Sequence, residues 1–179
     1  MRGIQRVDNK LELQIKLKVK DVLRYNLWVA YRSIVSKLML ILGVGLTGWL
    51  IYKVSVNTGR LDVFISQNII WIVLAVFILI ATPFKVWTIT ATQMQAPIFA
   101  GVSKYIFTKE NIYMQVGELE DTVSWDTYIK IVETNKDFRF FVDKVQAQIF
   151  PKHNMTAEQI TVLKALIKEA KDEASYKLK

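Results

Sequence analysis

From Val63 to Phe84 the chain runs for 22 residues without a charge, between Asp62 and Lys85, and 17 of these residues are apolar. Ile69 to Ala81 is apolar without interruption. A helix of this length, at about 1.5 Å per residue, spans the roughly 30 Å hydrocarbon core of a bilayer. Ser66, Gln67 and Asn68 are suited to one membrane interface. At the other end Lys85 can snorkel and Trp87 can anchor at headgroup depth.

A second stretch is shorter: Leu38 to Tyr52 is 15 uncharged residues between Lys37 and Lys53. Alone it is too short to cross, but lysines at its ends can snorkel and lengthen the span to residues 33–56. Gly43, Gly45, Thr47 and Gly48 supply the small side chains that let helices approach closely in lipid, and are the expected helix-packing face. The expectation is a transmembrane hairpin over residues 33–84, with helices at about 33–56 and 63–84 and a short loop around Val54 to Asp62. Trp28, Lys37, Lys53, Lys85 and Trp87 are its expected interface anchors. The competing reading is a soluble protein with two buried helices. A chain of 179 residues has little else with which to bury them. The 37 residues preceding the first stretch are too many for an ordinary signal-peptide n-region, and no small-x-small site follows Leu50.

Charge sets the expected orientation. Residues 1–37 hold nine Lys and Arg against three acids; residues 53–62 hold two against one; residues 85–179 hold thirteen against twelve. The positive-inside rule therefore places both termini in the cytoplasm and the short loop outside. Most of the formal charge of +8 is thereby a topology signal. The nearly neutral last segment makes nucleic acid a poor partner.

The flanking parts read as a cytosolic α+β domain. Leu11, Leu13, Ile15, Leu17 and Val19 alternate with Glu12, Gln14, Lys16, Lys18 and Lys20, the pattern of a half-buried strand that must pair with others. Asp21 is the expected N-cap of an amphipathic helix leading to the membrane, which completes an N-terminal segment over residues 1–32. After a linker or helix extension holding Pro97 and Gly101, the segments SKYIFT, NIYMQV, TVSW, YIKIVE, FRFFV and AQIF follow at the spacing of an antiparallel meander. Thr156 and Gln159 form an expected capping box, with Met155 and Ile160 as its hydrophobic staple, opening a last helix over residues 156–176. A small curled sheet covered by one helix is a pleckstrin-homology-like arrangement, and the strand beginning at Leu11 is the seventh strand it needs.

Chemistry-bearing clusters are sparse. With no cysteine and a single histidine, thiolate zinc sites, disulfides and thiol nucleophiles fall away. His153 has no accompanying nucleophile elbow or glycine-rich oxyanion turn, so it reads as a loop residue before the last helix. Glu118, Glu120 and Asp121 read as a solvated hairpin turn. Trp125, on a strand of a small sheet, reads as core. No enzymatic activity, metal, cofactor or small-molecule substrate is expected.

The succession FTKENIYMQV, SWDTYIKIVETNKDFRFFV and IFPKHNMTAEQITVLKALIK resembles the C-terminal domain of the YcxB-like bacterial membrane proteins, over roughly residues 103–168. Trp125, Phe150, Pro151 and Lys152 stand at family positions; His153 replaces the usual Arg of the Pro-Lys-Arg step. The resemblance implies a bacterial cytoplasmic membrane protein with a pleckstrin-like cytosolic domain and no established activity. The expected function is a non-enzymatic, membrane-anchored interaction protein whose partners are other membrane proteins. Two alternatives remain: binding of anionic lipid or a small ligand, with Lys16, Lys18, Lys20 and Arg24 as lipid contacts, and an immunity-type protein directed against a toxin.

Overall fold

The computed structural model describes residues 10–96, 99 and 101–179. The first nine residues of the expected N-terminal segment, and Pro97 of the linker, lie outside the described residues. The chain forms two units, residues 23–92 and, in the other, residues up to 22 together with 93–179.

Strand β1, Leu11–Lys16, alternates buried and exposed residues without a fault. It ends earlier than the alternation through Lys20 suggests, because helix α1, Val19–Ala30, takes over. The Asp21 carboxylate accepts a hydrogen bond from the Lys18 backbone N–H at 3.1 Å. Asp21 is thus the third residue of the helix reaching back to its cap, in the manner of half a capping box, and not the N-cap itself.

Two long apolar helices follow. Helix α2 is Ile34–Ser55 and helix α3 is Leu61–Gln93. Between them, the side-chain amide of Asn57 donates to the Gly59 carbonyl and accepts from its N–H, at 3.1 and 3.2 Å. Helix α3 runs well beyond the expected end near residue 84 and contains Pro83. Its inward face explains the continuation: Phe64, Asn68, Ala75, Val86 and Thr90 are all buried, so the packing stripe persists after the proline. Thr90 donates to the Val86 carbonyl at 2.8 Å and accepts from Asn26 of α1 at 2.9 Å. Both α2 and α3 are long and apolar enough to cross a membrane.

The second unit is built on two four-stranded sheets. In the first, the order is β1-β2-β3-β4, with β2 Val102–Phe107, β3 Asn111–Val116 and β4 Leu119–Ser124, all antiparallel. The register pairs Leu11 with Phe107 and Ile15 with Ser103, so strands that precede and follow the long helices share one sheet. Gly117 and Glu118 alone join β3 to β4. Gly117 has φ of 62°, and no other described residue with positive φ is found, which is the type II′ hairpin that matches strand twist. The expected GELED turn is accordingly only two residues long, and Leu119, Glu120 and Asp121 belong to β4.

The second sheet has the order β7-β6-β5-β8, with β5 Lys130–Glu133, β6 Asp137–Phe141 and β7 Ala147–Pro151. Helix α4, Ala157–Ala170, opens on the expected capping box: Thr156 Oγ1 accepts from the Gln159 N–H and Gln159 Oε1 from the Thr156 N–H. It stops short of the expected residue 176. Lys171 is extended, and Tyr176–Lys177 forms β8, parallel to Ile131 and Val132 of β5. Beyond Ala170 the apolar stripe offers only Ala174, too little to hold a helix, whereas pairing with β5 lets Tyr176 pack against the core. That core joins Leu13, Phe107, Trp125, Phe140 and Phe150 to Leu163 and Ile167 of α4.

Candidate functional site

In the helical unit the expected packing face divides in two. A Cβ on Gly43 would stand 2.8 Å from Leu79 Cδ2 and 2.9 Å from Ile78 Cγ2, so any larger residue here has to push these α3 side chains aside. Thr47, one turn on, is half-buried and spends its hydroxyl on the Gly43 carbonyl at 2.8 Å. Gly45 and Gly48 have open space where a side chain would be. The reason is angular: at 100° per residue Gly45 lies well around the helix from Gly43, while Gly45 and Gly48 share a flank.

The expected anchors also separate. Lys37, Lys85 and Trp87 are exposed. Trp28 stacks on Tyr25 at 5.9 Å and lies under the Arg32 guanidinium at 5.4 Å. Lys53 instead turns to the neighbouring helix. Its ammonium donates to Asn68 Oδ1 at 3.1 Å and sits 4.7 Å from the Trp49 ring, which meets Trp71 edge-on. Asn68 is buried, and its amide also donates to the Phe64 carbonyl at 2.9 Å, so the polar group inside the helix pair is satisfied.

In the sheet unit the family positions are architectural. Trp125 is core as expected but not on a strand, since β4 ends at Ser124 and Trp125 opens the 3-10 turn Trp125–Thr127. It is 3% exposed, its indole N–H donates to the Thr108 carbonyl, and its ring packs on Phe107 and Phe140. Phe150 is fully buried among Tyr105, Phe107 and Phe140, with ring centroids at 4.9, 5.4 and 4.8 Å respectively. Pro151 closes β7. Lys152 crosses the Phe138 ring at 5.1 Å and ends 2.6 Å from Glu133 Oε1.

Glu133 is the polar hub that sequence reasoning missed. Its other oxygen lies 3.0 Å from Lys164 Nζ and accepts from the Lys179 backbone N–H at 2.6 Å. Burial pushes the Glu133 carboxyl up, but hydrogen bonds from Lys152, the Lys179 backbone and Lys164 outweigh it and hold it below the usual carboxylate range. A glutamate at the end of an alternating strand carries no sequence mark of this role; its partners come from β7's end, α4 and the last residue.

The lone histidine also gains a partner. His153 Nε2 lies 2.8 Å from Oδ2 of Asp21, a carboxylate only 1% exposed. Asn154 donates to the Lys16 carbonyl and Gln159 to the Glu12 carbonyl, so the loop before α4 and the start of α4 hold residues 12–21 of the same unit. Of the four expected lipid contacts, Lys16 ends β1, Lys18 lies in the connection, and Lys20 and Arg24 are one turn apart on α1; the first three are exposed and Arg24 is half-buried. Tyr128 donates to Gln148 Oε1 at 2.5 Å and Gln148 Nε2 to the Tyr105 hydroxyl at 2.9 Å. Burial raises both tyrosines above their ordinary value. The adjoining cavity, with Ile15, Ser103 and Ile149 in its wall, measures about 160 Å³. That is below the few hundred Å³ of ordinary ligand sites.

These features define a class of protein: a pair of long apolar helices placed in the chain between the first and second strands of a two-sheet domain that ends in a covering helix. Residues 107–167, about a third of the chain, match the model of the YcxB-like protein family, which bears out the resemblance over that stretch. Neither the curated proteins nor the solved structures gave a match.

Proposed function

We propose that the chain is a non-enzymatic, membrane-anchored interaction protein, an accessory or regulatory subunit of a bacterial membrane complex. In this reading α2 and α3 cross the cytoplasmic membrane, both termini are cytoplasmic, and the two sheets with α4 form a pleckstrin-like domain that docks a protein partner. One observation carries the reading: α2 and α3 turn large apolar side chains outward, among them Ile34 at 74%, Ile70 at 75% and Phe84 at 67% exposure. An apolar surface of this extent is covered by lipid or by other proteins. Gly45 and Gly48 interrupt it with a flank that a second helix can approach closely.

The test replaces both glycines with leucine and purifies the full chain from membranes in a mild detergent. Co-purification of a membrane partner should fall in Gly45→Leu/Gly48→Leu while the sheet domain remains folded. Unchanged partner recovery with an unchanged oligomeric size overturns the proposal. Orientation is open to a direct check because the chain has no cysteine. Asn57→Cys should react with an impermeant maleimide from outside the cell, and Lys144→Cys only after permeabilisation.

A further inference from the structure

Between α1, the first turn of α2 and α3 lies a half-open cavity of about 450 Å³, whose wall includes Asn26, Ser36, Thr82, Lys85, Val86 and Ile89. We infer that it is a binding site for the phosphate headgroup of an anionic phospholipid, an inference that rests on the reading of α3 as a membrane span.

Position is the first argument. Lys85 is the first charge after the 22 uncharged residues of α3, so a cavity walled by Thr82 and Lys85 sits at headgroup depth when α3 crosses the bilayer. Chemistry is the second. Lys85 brings an ammonium, Ser36 and Thr82 bring hydroxyls, and Val86 and Ile89 continue the wall as apolar surface. That combination matches a lipid, with a phosphate to accept hydrogen bonds and a glycerol–acyl junction to cover hydrocarbon. Rigidity is the third: Asn26 is held to Thr90 at 2.9 Å, and Thr90 to the Val86 carbonyl, which ties α1 to α3 along the cavity. The first turn of α2 adds the positive end of a 22-residue helix, and Ser33 at its cap makes no side-chain bond to that turn. This site is separate from Lys16, Lys18, Lys20 and Arg24, none of which lines it.

The experiment reconstitutes the full chain in phosphatidylcholine nanodiscs with and without phosphatidylglycerol and reads retained lipid by native mass spectrometry. Phosphatidylglycerol should be retained in preference, and the preference should fall about fivefold in Lys85→Gln, the value of one basic residue at a membrane surface. Thr82→Val, which leaves every charge in place, should lower it as well. Lys37→Gln, adjacent to Ser36 but outside the cavity wall, should cost less than Lys85→Gln. Equal retention of both lipids, no effect of Thr82→Val, or equal losses in the two lysine variants overturns the proposal, the last by revealing diffuse charge attraction. Soluble glycerol phosphate separates the two sources of a phosphate: failure to displace the lipid supports the headgroup, and displacement at equal concentration overturns it in favour of a free phosphate ester. The cysteine labelling above reports membrane crossing independently, so a chain that crosses but shows no lipid preference refutes this inference alone.

Discussion

The two units of this chain use the same apolar side chains in opposite ways. In the sheet unit Phe107, Phe138, Phe140 and Phe150 are fully buried, and Phe107, Phe140 and Phe150 meet edge-on. In the helical unit the inward face carries Gly43, Asn68 and Thr90 beside Leu50 and Phe64, while many of the other Ile, Leu and Phe side chains are exposed. A water-driven core gathers its largest residues inside, because burial of a large side chain contributes roughly 1.5–3 kcal/mol. On the proposed membrane reading the helix pair gains nothing by hiding leucine from lipid, so small and polar groups hold its interface. Composition alone therefore does not say where a residue points; the solvent does.

The contrast can be broken in order of effect. Phe150→Ala should be the most damaging change, costing about 3–5 kcal/mol as a cavity opens among three aromatic rings. Near-ultraviolet circular dichroism of the detergent-solubilised chain should lose its aromatic signal while far-ultraviolet helicity of α2 and α3 persists; joint loss of both would show that the units do not fold separately.

Glu133→Gln should cost roughly 1–3 kcal/mol, since it leaves two half-buried lysine donors without their buried carboxylate. Because the folded carboxyl is held below its ordinary value, its stabilisation is complete above the unfolded pKa and disappears as pH falls through the folded one. The thermal stability of the wild type should accordingly fall in acid, as pH drops through and below the ordinary carboxylate range. In the variant that component of the pH dependence should be missing, and an unaltered acid profile would remove Glu133 from the account.

Within the helical unit, Gly43→Ala should destabilise the pair by about 1–3 kcal/mol through overpacking against Ile78 and Leu79, whereas Gly45→Ala should be neutral or mildly stabilising by helix propensity. Melting in detergent distinguishes them, and equal responses would contradict the division of the two faces. The smallest effect belongs to Asn68→Leu, near 0.6 kcal/mol, the usual worth of an interhelical polar contact in lipid. A much larger loss in the same melt would mean that the Lys53–Asn68 contact is a central clasp.

Much of the fold was legible from periodicity. The two uncharged stretches, the alternation from Leu11 to Lys16, and the Thr156–Gln159 capping box each follow from local rules that operate over a few residues. What pattern left open or missed lies at ends. Of the linker or helix extension expected after Lys85, the chain takes the extension because the inward face of α3 still packs. Helix α4 ends at Ala170, short of the expected residue 176, because β5 offers the following residues a strand partner. Neither reason is local.

The sites divide the same way. Trp125 as core, and lysines at the limits of apolar stretches, could be read from residue type and place. The Glu133 hub, the Asp21–His153 pair 132 residues apart and the cavity beside Lys85 could not, since each depends on elements distant in sequence meeting in space. Sequence alone determined which segments are helix or strand and how charge is distributed, because propensity and pattern act along the chain. Only the tertiary structure decided which glycine packs, which lysine pairs and that β2 is the neighbour of the N-terminal strand already expected in that sheet, because those outcomes depend on distances that the chain order does not encode.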